Sequence, residues 1–330
     1  MKLSVLDLSP IPSGFGAHDA LENTLDLARH AESLGLARHW VAEHHNAGGL
    51  ASSAPEIVIG QIARVTRRIR VGAGGIMLPN HPPLKVAETF RVLSAFFPGR
   101  IDLGIGRAPG TDPRTARALR RNVAEMDFDA SLDELVSYLE EQGGPRGPFA
   151  ASIVAAPIGV APPPIWMLGS SDGGVEFAAR RGLPFAFAHH INPRDAVTTM
   201  RRYREAFRPS AANPEPYAIL AVAATTAETE RELEPLERCV DVGSLRFAQG
   251  LRDLPFPSED EARAHVFDAD EDALRLAMRE RHFLGTVDRV ARDLRAIVEE
   301  TRADELMVMC NAHDHEKRKH VYTLLARALG

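Results

Sequence analysis

Two adjacent imidazoles and a carboxylate end an apolar run at Trp40-Val41-Ala42-Glu43-His44-His45-Asn46. Such a trio can move protons: imidazole titrates at about pH 6.5, and a neighbouring carboxylate can fix the orientation of the ring. Adjacent side chains at a strand end point to opposite sides, so one ring faces any site there. His44 is taken as that ring, with Glu43 either orienting the cluster or forming an ion pair within the fold. A structural histidine bonded to loop carbonyls is the plain alternative for either ring.

Other segments offer groups suited to holding a ligand. Gly74 and Gly75 end the run "RIRVGAGG", where glycines weaken a strand unless something comes close to the backbone. A flat ring lying there would explain them, and so would a bulge or a tight bend. Arg107, after "RIDLGIG", is a fixed charge suited to phosphate. The surrounding "GIGRAPG" has the spacing GxGxxxG, which is not the dinucleotide fingerprint. Ser170 and Ser171 in "GSSDGG" precede a helix, where backbone N–H groups suit an anion or the hydroxyls simply cap the helix. His189–His190 and His313–His315 raise a metal reading, which is set aside because no recognised ligand spacing accompanies them.

The elements that must position these groups alternate in a regular way. Apolar runs at 2–8, 39–43, 68–75, 100–107, 165–170, 184–190, 217–225 and 305–310 read as strands. Helical patterns follow them, among them 54–65 with Pro55 in its opening turn, 84–96, 174–181, 193–207, a helix from 228 and a last one at 315–329. Eight strand–helix units predict one α/β domain over 1–330, a (β/α)8 TIM barrel. Its insertions are expected at 127–164 and, after strand seven, at 250–272. Active sites of such barrels lie at the C-terminal ends of the strands. Asp7, Glu43, His44, His45, Gly74, Gly75, Arg107, Ser170, Ser171, His189, His190 and His313 all fall there, and their convergence outweighs any one of them.

Composition narrows the functional classes. Hydrophobic residues make up 45% and charged residues 25% of the 330, and the net charge of −6 offers nothing to nucleic acid or an anionic membrane. No apolar run is long enough to span a membrane. Two distant cysteines, Cys239 and Cys310, fit a reducing compartment, and the N-terminus lacks a signal-peptide pattern. A cytoplasmic location is expected.

In these same segments the sequence resembles the bacterial luciferase-like flavin monooxygenases. The blocks "WVAEHHN", "ASSAPEIVIGQIA", "RIRVGAGGIMLPNHPPLKVAE", "FPGRIDLGIGRAPGTD" and "WMLGSSDGG" occur in the family's order, most densely over residues 1–125. The resemblance implies a barrel that uses reduced FMN. Arg107, Ser170 and Ser171 would hold the flavin phosphate, and Gly74–Gly75 would match a non-proline cis peptide behind the flavin ring. His44 would match the histidine that luciferase needs for turnover, and 250–272 would match the family's mobile segment after strand seven, a lid over the site. A separate NAD(P)H-dependent flavin reductase would supply the flavin, and a flavin hydroperoxide formed with O2 would oxygenate a small organic substrate. A homodimer is implied as well. Luciferase carries a cysteine where this chain has Gly106, so neither light emission nor long-chain aldehyde specificity is implied. Family branches that use F420 leave an F420- or flavin-dependent hydride-transfer enzyme as one alternative, and a non-catalytic flavin-binding protein is another.

Overall fold

The computed structural model describes residues 1–119, 127–140 and 153–330. Part of the anticipated 127–164 insertion, including its Gly/Pro-rich stretch 143–149, lies outside the described residues. The chain folds in the order β1 (Lys2–Asp7), α1 (Ala17–Ser33), β2 (Arg38–Val41), α2 (Pro55–Val65), β3 (Arg70–Met77), α3 (Pro83–Phe96) and β4 (Ile101–Gly106). It continues through α4 (Pro113–Leu119), α5 (Phe128–Leu139), β5 (Ile165–Gly169), α6 (Asp172–Arg181), β6 (Phe185–Ala188), α7 (Ala196–Ala206), β7 (Ala218–Ala227) and α8 (Glu230–Ala248). The last elements are α9 (Glu259–Ala264), α10 (Ala269–Arg279), β8 (His282–Thr286), α11 (Val287–Thr301), β9 (Glu305–Met309) and α12 (His315–Leu329).

Every strand pairing is parallel, and the ladder β1 through β7 closes through β9 onto β1. The eight-stranded (β/α)8 barrel is therefore present. Strands buried on both faces read as continuous apolar runs, and all ten residues of β7 are buried.

The additional strand was not foreseen. β8 pairs with residues 223–227 of β7, while Ala223 also pairs with Met309 on the opposite edge. It therefore continues the β6 side of β7 beyond the point where β6 stops, outside the ring. Its five residues are mostly half-buried and carry no alternating pattern, so length and periodicity give no signal for it. α11 then makes the crossover back to β9.

The barrel floor is sealed by ions. Asp102 and Glu305, both fully buried, are bridged by Arg38 at 2.8 and 3.0 Å. Asp102 also accepts from Trp40 Nε1 at 3.0 Å and from Arg70, and Glu305 accepts from the Tyr217 hydroxyl at 2.8 Å and from Ser4. Buried carboxylates tolerate this position only because their oxygens are taken up this way. Above them Leu6, Trp40, Trp166, Ile219 and Met307 pack together inside the barrel.

Candidate active site

A cavity of about 860 Å3 opens at the C-terminal ends of the strands, mostly apolar in lining and within the size range of small-molecule sites. His44 reaches it from the end of β2. The residue is half-buried, but its Nδ1 is shielded from solvent and has no hydrogen-bond partner among the described residues. Burial pushes its pKa down to about 4, assisted by His190 and Arg252 and opposed by Glu43. The ordinary value near 6.5 thus does not apply, and His44 is a neutral imidazole at pH 7.

Glu43 does not bond to His44. Its Oε1 accepts from His45 Nε2 at 2.7 Å, His81 Nε2 at 2.8 Å and Asn80 Nδ2 at 3.3 Å, and its Oε2 accepts from the Met77 amide at 2.9 Å. Burial raises its pKa, but the two imidazoles and the Met77 N–H outweigh that and lower it. The carboxylate clamps the loops after β2 and β3 together. Glu43, His45 and His81 present donor atoms within 4.8 Å of one another, as a metal site would. The 2.7–2.8 Å separations are those of charge-assisted hydrogen bonds, which account for the cluster.

The β3 glycines answer to protein packing. The Gly74–Gly75 bond is cis, and the β3–β4 register shifts between Ala73 and Ile76. A Cβ on Gly74 would meet Leu6 at 2.8 Å, and one on Gly75 would lie 2.7 Å from the Gly104 carbonyl. The bulge reading therefore accounts for both, although Gly74 still forms part of the cavity wall. At Gly106, a Cβ would strike Met77 Sδ at 2.6 Å, so Met77 occupies the room a larger residue would need there.

Arg107, Ser170 and Ser171 meet at one side of the cavity. The guanidinium lies over the first turn of α6, where a Cβ on Gly173 would be 2.8 Å from it. Among the described residues it has no hydrogen-bond or ion-pair partner. Ser171 is the N-cap residue of α6, yet its hydroxyl makes no cap bond. A cation, two hydroxyls and a helix N-terminus at one place suit a phosphate.

Three candidates drop out. Asp7 holds Arg318 at 2.7 Å and the Ser9 amide at 2.7 Å beneath the loops. His189 stacks on Phe283 at 5.1 Å, away from the cavity. His313 bonds to the Ser13 carbonyl at 2.9 Å and His315 to Asp26 at 2.9 Å, so they share no metal. His190 does line the cavity. Its Nδ1–H donates to the Ala221 carbonyl at 3.1 Å, which leaves Nε2 as an acceptor.

Several lining residues escaped the sequence reading: His282, Asn311, Arg246, Arg252 and Arg281. Arg246 and Arg252 belong to the chain around the 250–272 insertion. That segment covers the mouth: Phe256 exchanges main-chain bonds of 2.8 Å with Ile11 and Ser13, and Gly49 donates to the Arg252 carbonyl at 3.1 Å.

A family model described as luciferase-like monooxygenase matches residues 1–305. The chain belongs to the luciferase-like monooxygenase family. A luciferase-like monooxygenase of Escherichia coli K12 is 39% identical over 328 residues, covering 97% of this chain and 95% of that one. The N-acetyl-S-alkylcysteine monooxygenase of Bacillus subtilis is 33% identical over 333 residues, covering 100% and 98%. The crystal structure of apo-MsnO8 superposes with a TM-score of 0.90 at 38% identity, covering 99% and 97%. The barrel alone is shared with an FMN complex of the oxygenating constituent of 3,6-diketocamphane monooxygenase from Pseudomonas putida, at 18% identity and TM-score 0.73. It is likewise shared with an F420-dependent secondary alcohol dehydrogenase, at 14% and 0.66. As a luciferase-like monooxygenase, the protein is an oxidoreductase.

Proposed function

We propose that the protein is the oxygenating component of a two-component system that takes reduced FMN from a separate NAD(P)H-dependent flavin reductase and oxygenates a small organic substrate with O2. The observation that carries this is Arg107, without a partner among the described residues, over the first turn of α6 and facing a mostly apolar cavity that also presents the neutral His44. Bound reduced flavin would activate O2 and deliver one of its oxygen atoms to the substrate.

The protein's own part is binding, orientation and exclusion of water. Arg107, Ser170, Ser171 and the α6 amides would hold the phosphate, while Gly74 on the β3 wall would lie beside the ring. His44, neutral and with Nδ1 free, can accept or share a proton at a polar atom of ligand or substrate. Glu43 acts as a positioning residue: it fixes the loop that carries His44. The segment over the mouth acts as the lid, keeping water from a reaction that would otherwise yield peroxide.

Exposed Ile57 on α2 and Val92 and Phe96 on α3 are apolar side chains that a homodimer in the cytoplasm would cover.

Anaerobic titration with reduced FMN and, separately, reduced F420, followed by mixing with oxygen and a substrate panel, tests the reading. Tighter binding of reduced FMN with oxygen-dependent substrate oxidation is the expected result. Preference for F420 with no oxygen incorporation would move the protein to hydride transfer, and flavin binding without any substrate oxidation would make it a carrier.

A further inference from the structure

The cavity is electropositive within an acidic protein. Arg107, Arg246, Arg252 and Arg281 line it, and among the described residues Glu43 is the one carboxylate beside them, already taken by two imidazoles and an amide. The chain as a whole carries −6. A phosphate accounts for Arg107. Arg246 is spent internally, on the Pro255 carbonyl at 2.9 Å and Glu261 at 3.4 Å.

Arg252 and Arg281 remain. Among the described residues neither guanidinium has a hydrogen-bond or carboxylate partner; Arg252 only lies over the Phe247 ring at 5.7 Å. The acid next to each in sequence is engaged elsewhere. Asp253 accepts from the Gly48 amide at 3.4 Å, and Glu280 pairs with Arg194 at 3.2 Å. Arg252 sits on the covering segment, its carbonyl held by Gly49 at 3.1 Å, and Arg281 immediately precedes β8. Arg252 is exposed at the mouth and Arg281 half-buried, and Val240, Leu251, Leu254 and Met278 give the same cavity an apolar lining. Two uncommitted guanidiniums beside an apolar wall fit a carboxylate carried on an apolar body, since the planar fork matches both carboxylate oxygens.

We propose that Arg252 and Arg281 form the substrate's anion-recognition site, and that the substrate is a small organic acid with an apolar body. This rests on the FMN monooxygenase reading and adds its substrate class. It also gives the lid a function in selection, because one of the two recognising charges travels with the segment that covers the mouth.

Calorimetric titration of the FMN-loaded protein with straight-chain carboxylates from butyrate to decanoate, and with the corresponding amides, tests the site. At least one acid is expected to bind about tenfold or more tightly than its amide, a preference that weakens with added salt. Arg252→Gln and Arg281→Gln should each reduce that preference and leave the FMN dissociation constant unchanged, whereas Arg107→Gln should weaken FMN and spare the acid preference. Absence of any acid preference in protein that binds FMN overturns the proposal. So does a preference that survives both substitutions, or one insensitive to salt in the wild-type protein. Loss of F420 affinity on replacing Arg252 or Arg281, with acids unaffected, would assign these charges to a cofactor tail and overturn it too. Failure of the underlying reading is distinguishable, because it appears as failure to bind FMN at all.

Discussion

Arg107 and His44 should separate binding from turnover. Charge-assisted hydrogen bonds contribute about 1.5–3 kcal/mol, so Arg107→Ala should raise the dissociation constant for reduced FMN by roughly 10- to 100-fold. Quenching of intrinsic fluorescence under anaerobic conditions measures this, and an unchanged constant removes Arg107 from the phosphate site. His44→Ala should lower substrate oxidation by about 100-fold or more while FMN still binds; a parallel loss of both would make His44 a binding or structural group. Spacing and residue type pointed to both positions, because each ends an apolar run. The lowered pKa of His44 was not legible: burial sets it, with a smaller electrostatic push from His190 and Arg252, residues far away in sequence.

Among the elements, β3 and β4 are packed too closely for any side chain at Gly104. A Cβ there would sit 2.1 Å from the Ala73 carbonyl, an atom of the neighbouring strand's backbone. Gly104→Ala should therefore destabilise the fold by about 1–3 kcal/mol or more, read as a lower urea midpoint; an unchanged midpoint would show that the two strands can separate locally. The covering segment makes a second prediction. Phe256 packs against Gly243, whose Cβ would approach it to 2.9 Å, and pairs with Pro12. Phe256→Ala should loosen the seam, so that a larger share of the oxygen consumed appears as hydrogen peroxide. If the peroxide yield stays at the wild-type level, this seam does not exclude water. The insertion at 250–272 was visible from its acidic, proline-containing composition, but its contacts with the loops after β1 and β2 were not, since those partners lie some 200 residues away.

For the molecule as a whole, pH dependence follows from imidazoles that the fold holds neutral. Burial lowers His44, His189 and His282 each from 6.5 to about 4, and lowers His190 as well. Between those values the unfolded chain binds more protons than the folded one, so stability rises with pH. The contribution of these neutral rings is complete above pH 6.5 and is lost as pH falls towards 4. Glu43 and Asp7, whose pKa values are lowered in the fold, add an acid-sensitive component below the ordinary carboxylate range. The melting temperature should therefore decline from pH 7 to pH 5, before carboxylates titrate, and His189→Leu should flatten that decline. A melting temperature constant across that interval would contradict the depressed histidine values.

The sequence alone determined the eight ring strands, and it named several of the residues, among them Glu43, His44, Arg107, Ser170, Ser171 and His190, that line the cavity at their C-terminal ends. These follow from local rules: the length of apolar runs, glycine and proline punctuation, and the polar residues that end each strand. Tertiary structure decided the remainder. Closure of the ring turned His44 into the cavity and Glu43 into a clamp with His81, and brought the β3 glycines up against Leu6 and Gly104 with Gly74 still on the cavity wall. It also added the edge strand β8 and brought Arg252 and Arg281 to one cavity from separate segments of the chain. Burial and charge pairing depend on which distant residues meet, and no local pattern records that.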